Sequence, residues 1–173
     1  MSATAANLIE RVIPQVGLRQ WVLTLPFPWR RRLAQDGALF GALTRIFVES
    51  VQAFYARRAA ARGRARAKTG ALTVVQRTSS DLRLNPHLHV VLLDGAYDEH
   101  HGRLVWSQLD HLRTREVGEV LEHAVQRMTR HLRRTARLGT DKRVGDSAGP
   151  KELLAASASA GGRHLPGPSG CAG

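Results

Sequence analysis

The stretch Asn85-Pro86-His87-Leu88-His89-Val90-Val91-Leu92-Leu93-Asp94-Gly95 constrains the fold of this chain more than any other segment. It is a run of aliphatic and β-branched residues bounded by Asn-Pro and Asp-Gly, the pattern of a buried strand. Side chains two apart on a strand share a face and stand roughly 6.6 Å apart along the backbone. His87 and His89 therefore aim their imidazoles one way, and Leu88 turns the other. One strand has to serve an apolar core on one side and a polar pair on the other. Burying two imidazoles without partners is costly, so partners are expected.

The flanking segments supply the rest of a core. Arg19 to Leu25 alternates, with Trp21, Leu23 and Leu25 on one face, and Pro26 and Pro28 end it. Asp36 is a candidate N-cap for a long helix reaching about Ala61, whose apolar stripe is Phe40, Leu43, Phe47, Val51 and Phe54. Ala71 to Arg77 reads as a second strand, with Leu72, Val74 and Gln76 on one face. Beyond Asp94-Gly95, Arg103 to Trp106 reads as a returning strand after a polar hairpin loop, Tyr97 to Gly102. A last helix spans about Thr114 to Leu138, with Val117, Leu121, Ala124, Met128 and His131 or Leu132 inward and Gly139 as its stop.

This order predicts an α+β fold, most simply an antiparallel sheet with long helices packed on one face. The short connection after the His-Leu-His strand favours antiparallel pairing, because a parallel crossover needs a dozen residues or more. The 173 residues suffice for one domain. Residues 1–18 read as a lead-in, 19–138 as the core, and the Gly/Ala/Ser-rich tail 139–173 as mostly disordered or as a segment lacking its packing partner.

The net charge of +12 favours a polyanionic partner, nucleic acid ahead of an anionic membrane surface. Arg57, Arg58, Arg62, Arg64, Arg66 and Lys68 lie within a dozen residues that contain no acid. That exceeds what a helix C-terminus uses and makes them candidate phosphate contacts. A second basic run, Arg127 to Arg137, falls on the last helix. No apolar run approaches the roughly 20 residues of a membrane span, and no signal peptide is evident, so no membrane partner is expected. The single cysteine, Cys171, cannot form an internal disulfide, which fits a cytoplasmic location.

Three readings of the histidine pair stay open. As ligands, two neutral imidazoles suit Mn²⁺, Zn²⁺, Fe²⁺ or Ni²⁺ better than Mg²⁺, and need a third ligand, for which Gln76 is a candidate. As acid or base, either imidazole moves a proton near neutral pH. As structural groups, both are simply hydrogen-bonded. A bare His-x-His does not choose among them. His100, His101, His111 and His123 read as solvated positions. Tyr55 and Tyr97, the two tyrosines, read as a packing residue and a hairpin-loop residue.

Taken together, Arg19-Gln20-Trp21-Val22-Leu23-Thr24-Leu25-Pro26, Val75-Gln76-Arg77, Asn85-Pro86-His87-Leu88-His89 and Leu93-Asp94-Gly95 resemble one family. They are similar to the two-tyrosine, rolling-circle transposases of the insertion-sequence ninety-one group, over roughly residues 8–138. The resemblance implies a histidine–hydrophobic–histidine (HUH) endonuclease fold. It implies that His87 and His89 hold a divalent metal, Mg²⁺ or Mn²⁺, and that the partner is single-stranded or hairpin DNA. A tyrosine would attack the scissile phosphate, with the metal as Lewis acid, to cleave and transfer the strand in transposition and recombination.

The chain departs from that family at both ends. It has no cysteine before Cys171, where relatives carry a zinc module, and no tyrosine after Tyr97, where they place the nucleophile. The expectation is a truncated transposase fragment that binds DNA and metal but is not active alone. The alternative is a noncatalytic, basic nucleic-acid-binding module.

Overall fold

The structure is a computed structural model, and it describes residues 3–109, 111–135 and 157–163. Its elements in chain order are α1 (Ala3–Asn7), continued by one π-helical turn (Leu8–Val12), β1 (Leu18–Thr24), α2 (Phe27–Gln35), α3 (Gly37–Ala60), β2 (Ala71–Thr78), β3 (Leu84–Leu93), β4 (Gly95–His100), β5 (Arg103–Gln108), α4 (Thr114–Arg134) and β6 (Ser157–Arg163). The expected α+β class holds: four strands form an antiparallel sheet ordered β2-β3-β1-β6, and β4 and β5 form a separate pair.

The His-Leu-His segment is the interior strand β3, flanked by β1 and β2. Its alternation carries the architecture. Leu88, Val90 and Leu92 are fully buried with Trp21 and Leu23 of β1, in one cluster with α2, α3 and α4. All three helices thus cover the face opposite the histidines. Phe40, Leu43, Phe47, Val51 and Phe54 of α3 are buried as their spacing predicts. Full burial of a side chain of this kind contributes about 1.5–3 kcal/mol.

Helix boundaries follow local chemistry. Pro28 stands in the first turn of α2, where a missing N–H costs nothing. Asp36 ends α2 and caps α3, its carboxylate accepting from Leu39 N at 2.8 Å. At the start of α4 the Glu116 side chain accepts from Arg113 N at 2.8 Å, and it also pairs with Arg58 of α3 at 2.6 Å. The α4 stripe is Val120, Ala124, Val125, Met128 and Leu132, with Val117 and Leu121 only partly buried, so the helix is rotated from the expected face. The described helix ends at Arg134, and the expected end near Leu138 lies outside the described residues.

Two expectations are corrected. The segment Tyr97 to Gly102 is not a hairpin loop. Gly95–His100 is β4, and it pairs with β5 around a turn at His101 and Gly102, both with positive φ. The returning strand pairs with β4 because both edges of β3 are already taken. Gly95 permits the close approach, since a Cβ there would run into the Ser107 carbonyl oxygen. The tail is also not wholly without structure: Ser157–Arg163 is β6, antiparallel to β1. Its Ser/Ala/Gly composition carries no hydrophobic period, but a backbone ladder on the open edge of β1 needs none. The rest of the tail lies outside the described residues. No helix among the described residues is long and apolar enough to cross a membrane.

Candidate metal and nucleic-acid site

Among the described residues, the histidine face of the sheet is the more exposed one. On it stand Gln20, Val22 and Thr24 of β1, His87, His89 and Val91 of β3, and Val74 and Gln76 of β2. None of these is fully buried. The register sets Thr24 and Gln76 directly across from His87, and Val22 and Val74 across from His89. The two imidazole centroids are 4.9 Å apart.

Each imidazole is oriented by a neighbour. His87 Nδ1 lies 2.6 Å from the Asn85 carbonyl oxygen, so Nδ1 carries the proton and the Nε2 lone pair stays free. His89 Nδ1 lies 2.5 Å from the Gln20 side-chain amide, and its Nε2 lies 3.0 Å from Gln76 Oε1. With the Gln20 nitrogen donating to Nδ1, Nε2 keeps its proton and donates to Gln76. With the Gln20 amide turned over, Nδ1–H donates instead, and the Nε2 lone pair faces the same point as Gln76 Oε1. The two amide orientations differ only in the assignment of O and N. Partial burial and the neighbouring His87 hold the His89 pKa below its ordinary value, which keeps the ring neutral at pH 7.

Among the described residues, no group of three or more His, Cys, Asp or Glu could hold a metal ion. The side-chain oxygen nearest His89 Nε2 is Gln76 Oε1, at 3.0 Å. The set of His87 Nε2, His89 Nε2 and Gln76 Oε1 is chemically suited to a divalent ion with open positions, and the partners on both Nδ1 atoms are the usual support of such ligands. Beside it an open depression of ≈ 500 Å³ is lined by Gln76, Thr78, Ser79, Ser80, Asn85 and His87.

Sequence reasoning missed Gln20. Its signal was available: in Arg19-Gln20-Trp21 the residue between two inward-facing ones has to point to the histidine face. Its neighbours are structural. Arg19 Nε and Nη2 donate to Asp94 Oδ1 and Oδ2 at 2.7 and 2.9 Å, and Trp21 Nε1 faces the Tyr55 hydroxyl at 3.5 Å.

The basic cluster is not gathered at the histidines. It runs from the last turn of α3 through the connection to the start of β2, whereas Gln76 lies near the other end of that strand, roughly 17 Å further along. Arg58 is tied to Glu116 and lies 5.8 Å from the Phe54 ring centroid. Arg62 donates to the Gln108 carbonyl at 2.9 Å. Arg57, Arg66 and Lys68 are exposed, Arg64 is half-buried, and Lys68 pairs through its backbone with Tyr97. The tyrosines are not at the site either. Tyr55 is 1% exposed on the helix side of the sheet, and burial pushes its pKa up to about 12. Tyr97 packs against Trp106, with ring centroids 4.8 Å apart.

An α+β protein with a sheet face bearing two imidazoles and an amide oxygen is thus defined. Residues 70–161, just over half of the chain, match the model of the family described as "Putative transposase", and the chain belongs to that family, which gives it a transposition-related function. The match takes in Gln76, His87 and His89. No curated protein and no solved structure matches the chain.

Proposed function

We propose that this chain binds single-stranded or hairpin DNA and holds a divalent metal, Mg²⁺ or Mn²⁺, through His87, His89 and Gln76, in a rolling-circle transposase of the HUH type. The observation that carries this reading is the proximity of the two imidazoles and Gln76 Oε1 on one partly exposed sheet face, inside the family match. A bound ion would polarise a phosphate of the strand as a Lewis acid. Gln20 and Asn85 hold the rings through their Nδ1 atoms, which leaves the two Nε2 atoms as the ligating ones. Arg57, Arg66 and Lys68, and at its margin Arg64, extend the phosphate contact along the molecule. Neither Tyr55 nor Tyr97 supplies the attacking hydroxyl, so cleavage by this chain alone is not expected.

Calorimetric titration with Mn²⁺ tests the metal site. Wild type takes up about one ion, the double variant His87→Ala/His89→Ala takes up none, and Gln20→Ala binds about 10–100-fold more weakly. Equal heats from wild type and the double variant would remove the metal and leave the noncatalytic binding module, whose DNA binding is indifferent to both. Incubation with labelled single-stranded DNA and Mn²⁺ tests the nucleophile: a covalent product that Tyr55→Phe or Tyr97→Phe abolishes would refute its assignment.

A further inference from the structure

We propose that Phe27 and Arg30 form a stacking platform for an unpaired nucleobase at the histidine end of the sheet, a proposal that rests on the single-stranded DNA reading above. Of the four phenylalanines, Phe40, Phe47 and Phe54 are at most 5% exposed, whereas Phe27 is 78% exposed. A lone exposed aromatic is ordinary. Phe27 is set apart by its support, its charge and its place.

The support is rigid. Pro26 and Pro28 fix the backbone on both sides of the ring. Trp29 and Leu33, 2% and 1% exposed, fasten α2 to the core, so the ring is carried on an anchored helix. The charge is positive. Arg30, Arg31 and Arg32 are consecutive, and no acid stands in α2. The Arg30 guanidinium carbon lies 5.4 Å from the Phe27 centroid, and Arg30 Nε is buried with no acceptor among the described residues. Among the described residues, the Phe27 ring supports that guanidinium.

The place is the histidine end of the sheet. Thr24 sits across from His87, and Phe27 is three residues further on. Three residues reach at most roughly 10 Å, and the strand pairing adds about 5 Å. A phosphate at the histidines and a base on Phe27 therefore belong to the same few nucleotides. Every base offers a π-face, so such a platform tolerates sequence, and an adjacent arginine strengthens it. A base stacked within a duplex has no free face to give, so the platform selects unpaired strand.

Fluorescence anisotropy on the full chain tests this with three probes: labelled oligothymidine, an abasic strand of equal length, and a duplex. Phe27→Ala is expected to weaken oligothymidine binding on the order of tenfold, as loss of one base stack does. F27W stays within about twofold of wild type, and the abasic strand binds all three proteins alike. The melting temperature of Phe27→Ala stays at the wild-type value, since the ring is exposed. Unchanged oligothymidine affinity in Phe27→Ala overturns the platform and leaves the single-strand reading intact. An equal loss on the abasic strand also overturns it, because the effect is then not stacking. A wild type that does not prefer oligothymidine to duplex overturns the single-strand reading, and the platform with it.

Discussion

The ion pair between Arg19 and Asp94 bears on whether the Arg-Gln-Trp and Asp-Gly blocks act structurally. The two side chains are 11% and 8% exposed and meet through two parallel hydrogen bonds, so solvent screens them little. Burial opposes the Arg19 charge, but the Asp94 carboxylate overcomes this and raises the Arg19 pKa above its ordinary value. Asp94→Asn removes one charge and leaves the other buried and unpaired. Breaking a buried pair in this way costs about 3–5 kcal/mol, and the residual exposure argues for the lower end, about 3 kcal/mol. For a chain of this size that lowers the melting temperature by about 6–12 °C. Arg19→Met should cost a similar amount. The double variant Arg19→Met/Asp94→Asn should lose much less than the sum, because no unpaired charge is left. Urea unfolding of the four proteins completes the cycle, with a coupling of about 2 kcal/mol or more expected. Repetition in 1 M salt should change little, since screening acts mainly on exposed pairs. Single variants within about 0.5 kcal/mol of wild type, or a double variant that merely adds them, would refute the argument.

Two further perturbations probe the rest of the frame. Gly95→Ala places a methyl against the Ser107 carbonyl and 2.6 Å from the Trp106 ring, so the β4–β5 hairpin must shift. A loss of about 1–3 kcal/mol is expected by thermal melting, and an unchanged melting temperature would contradict that close approach. His123 is held below its ordinary pKa, first by burial and then by Arg127, Arg57 and Arg130, and its Nδ1 is buried without a partner among the described residues. Below its unfolded pKa of about 6.5 the unfolded chain binds the proton more readily, so stability falls as pH drops through that value and levels off below the folded pKa. His123→Gln should lose less stability than wild type between pH 7.5 and pH 5; an identical acid loss in both would refute the assignment.

The sequence alone determined the elements whose side chains repeat. The strand β3, the alternation of Trp21, Leu23 and Leu25, the cap at Asp36 and the stripe of α3 are all legible, because burial on one face imposes a period of two or of 3.6. The common direction of His87 and His89 follows from the same period, and Gln76 was reachable as a residue of an adjacent strand. Only the tertiary structure decided what meets what. Gln20 against His89 is a diagonal contact set by the β1–β3 register, and no local spacing encodes a register between strands nearly 70 residues apart. The basic cluster and the histidines fall at opposite ends of β2, while Phe27 and Arg30, unremarked in the sequence, fall at the histidine end, because strand pairing and direction place them there. Strand β6 owes its place to backbone hydrogen bonds on the edge of β1, an interaction to which side-chain identity contributes almost nothing.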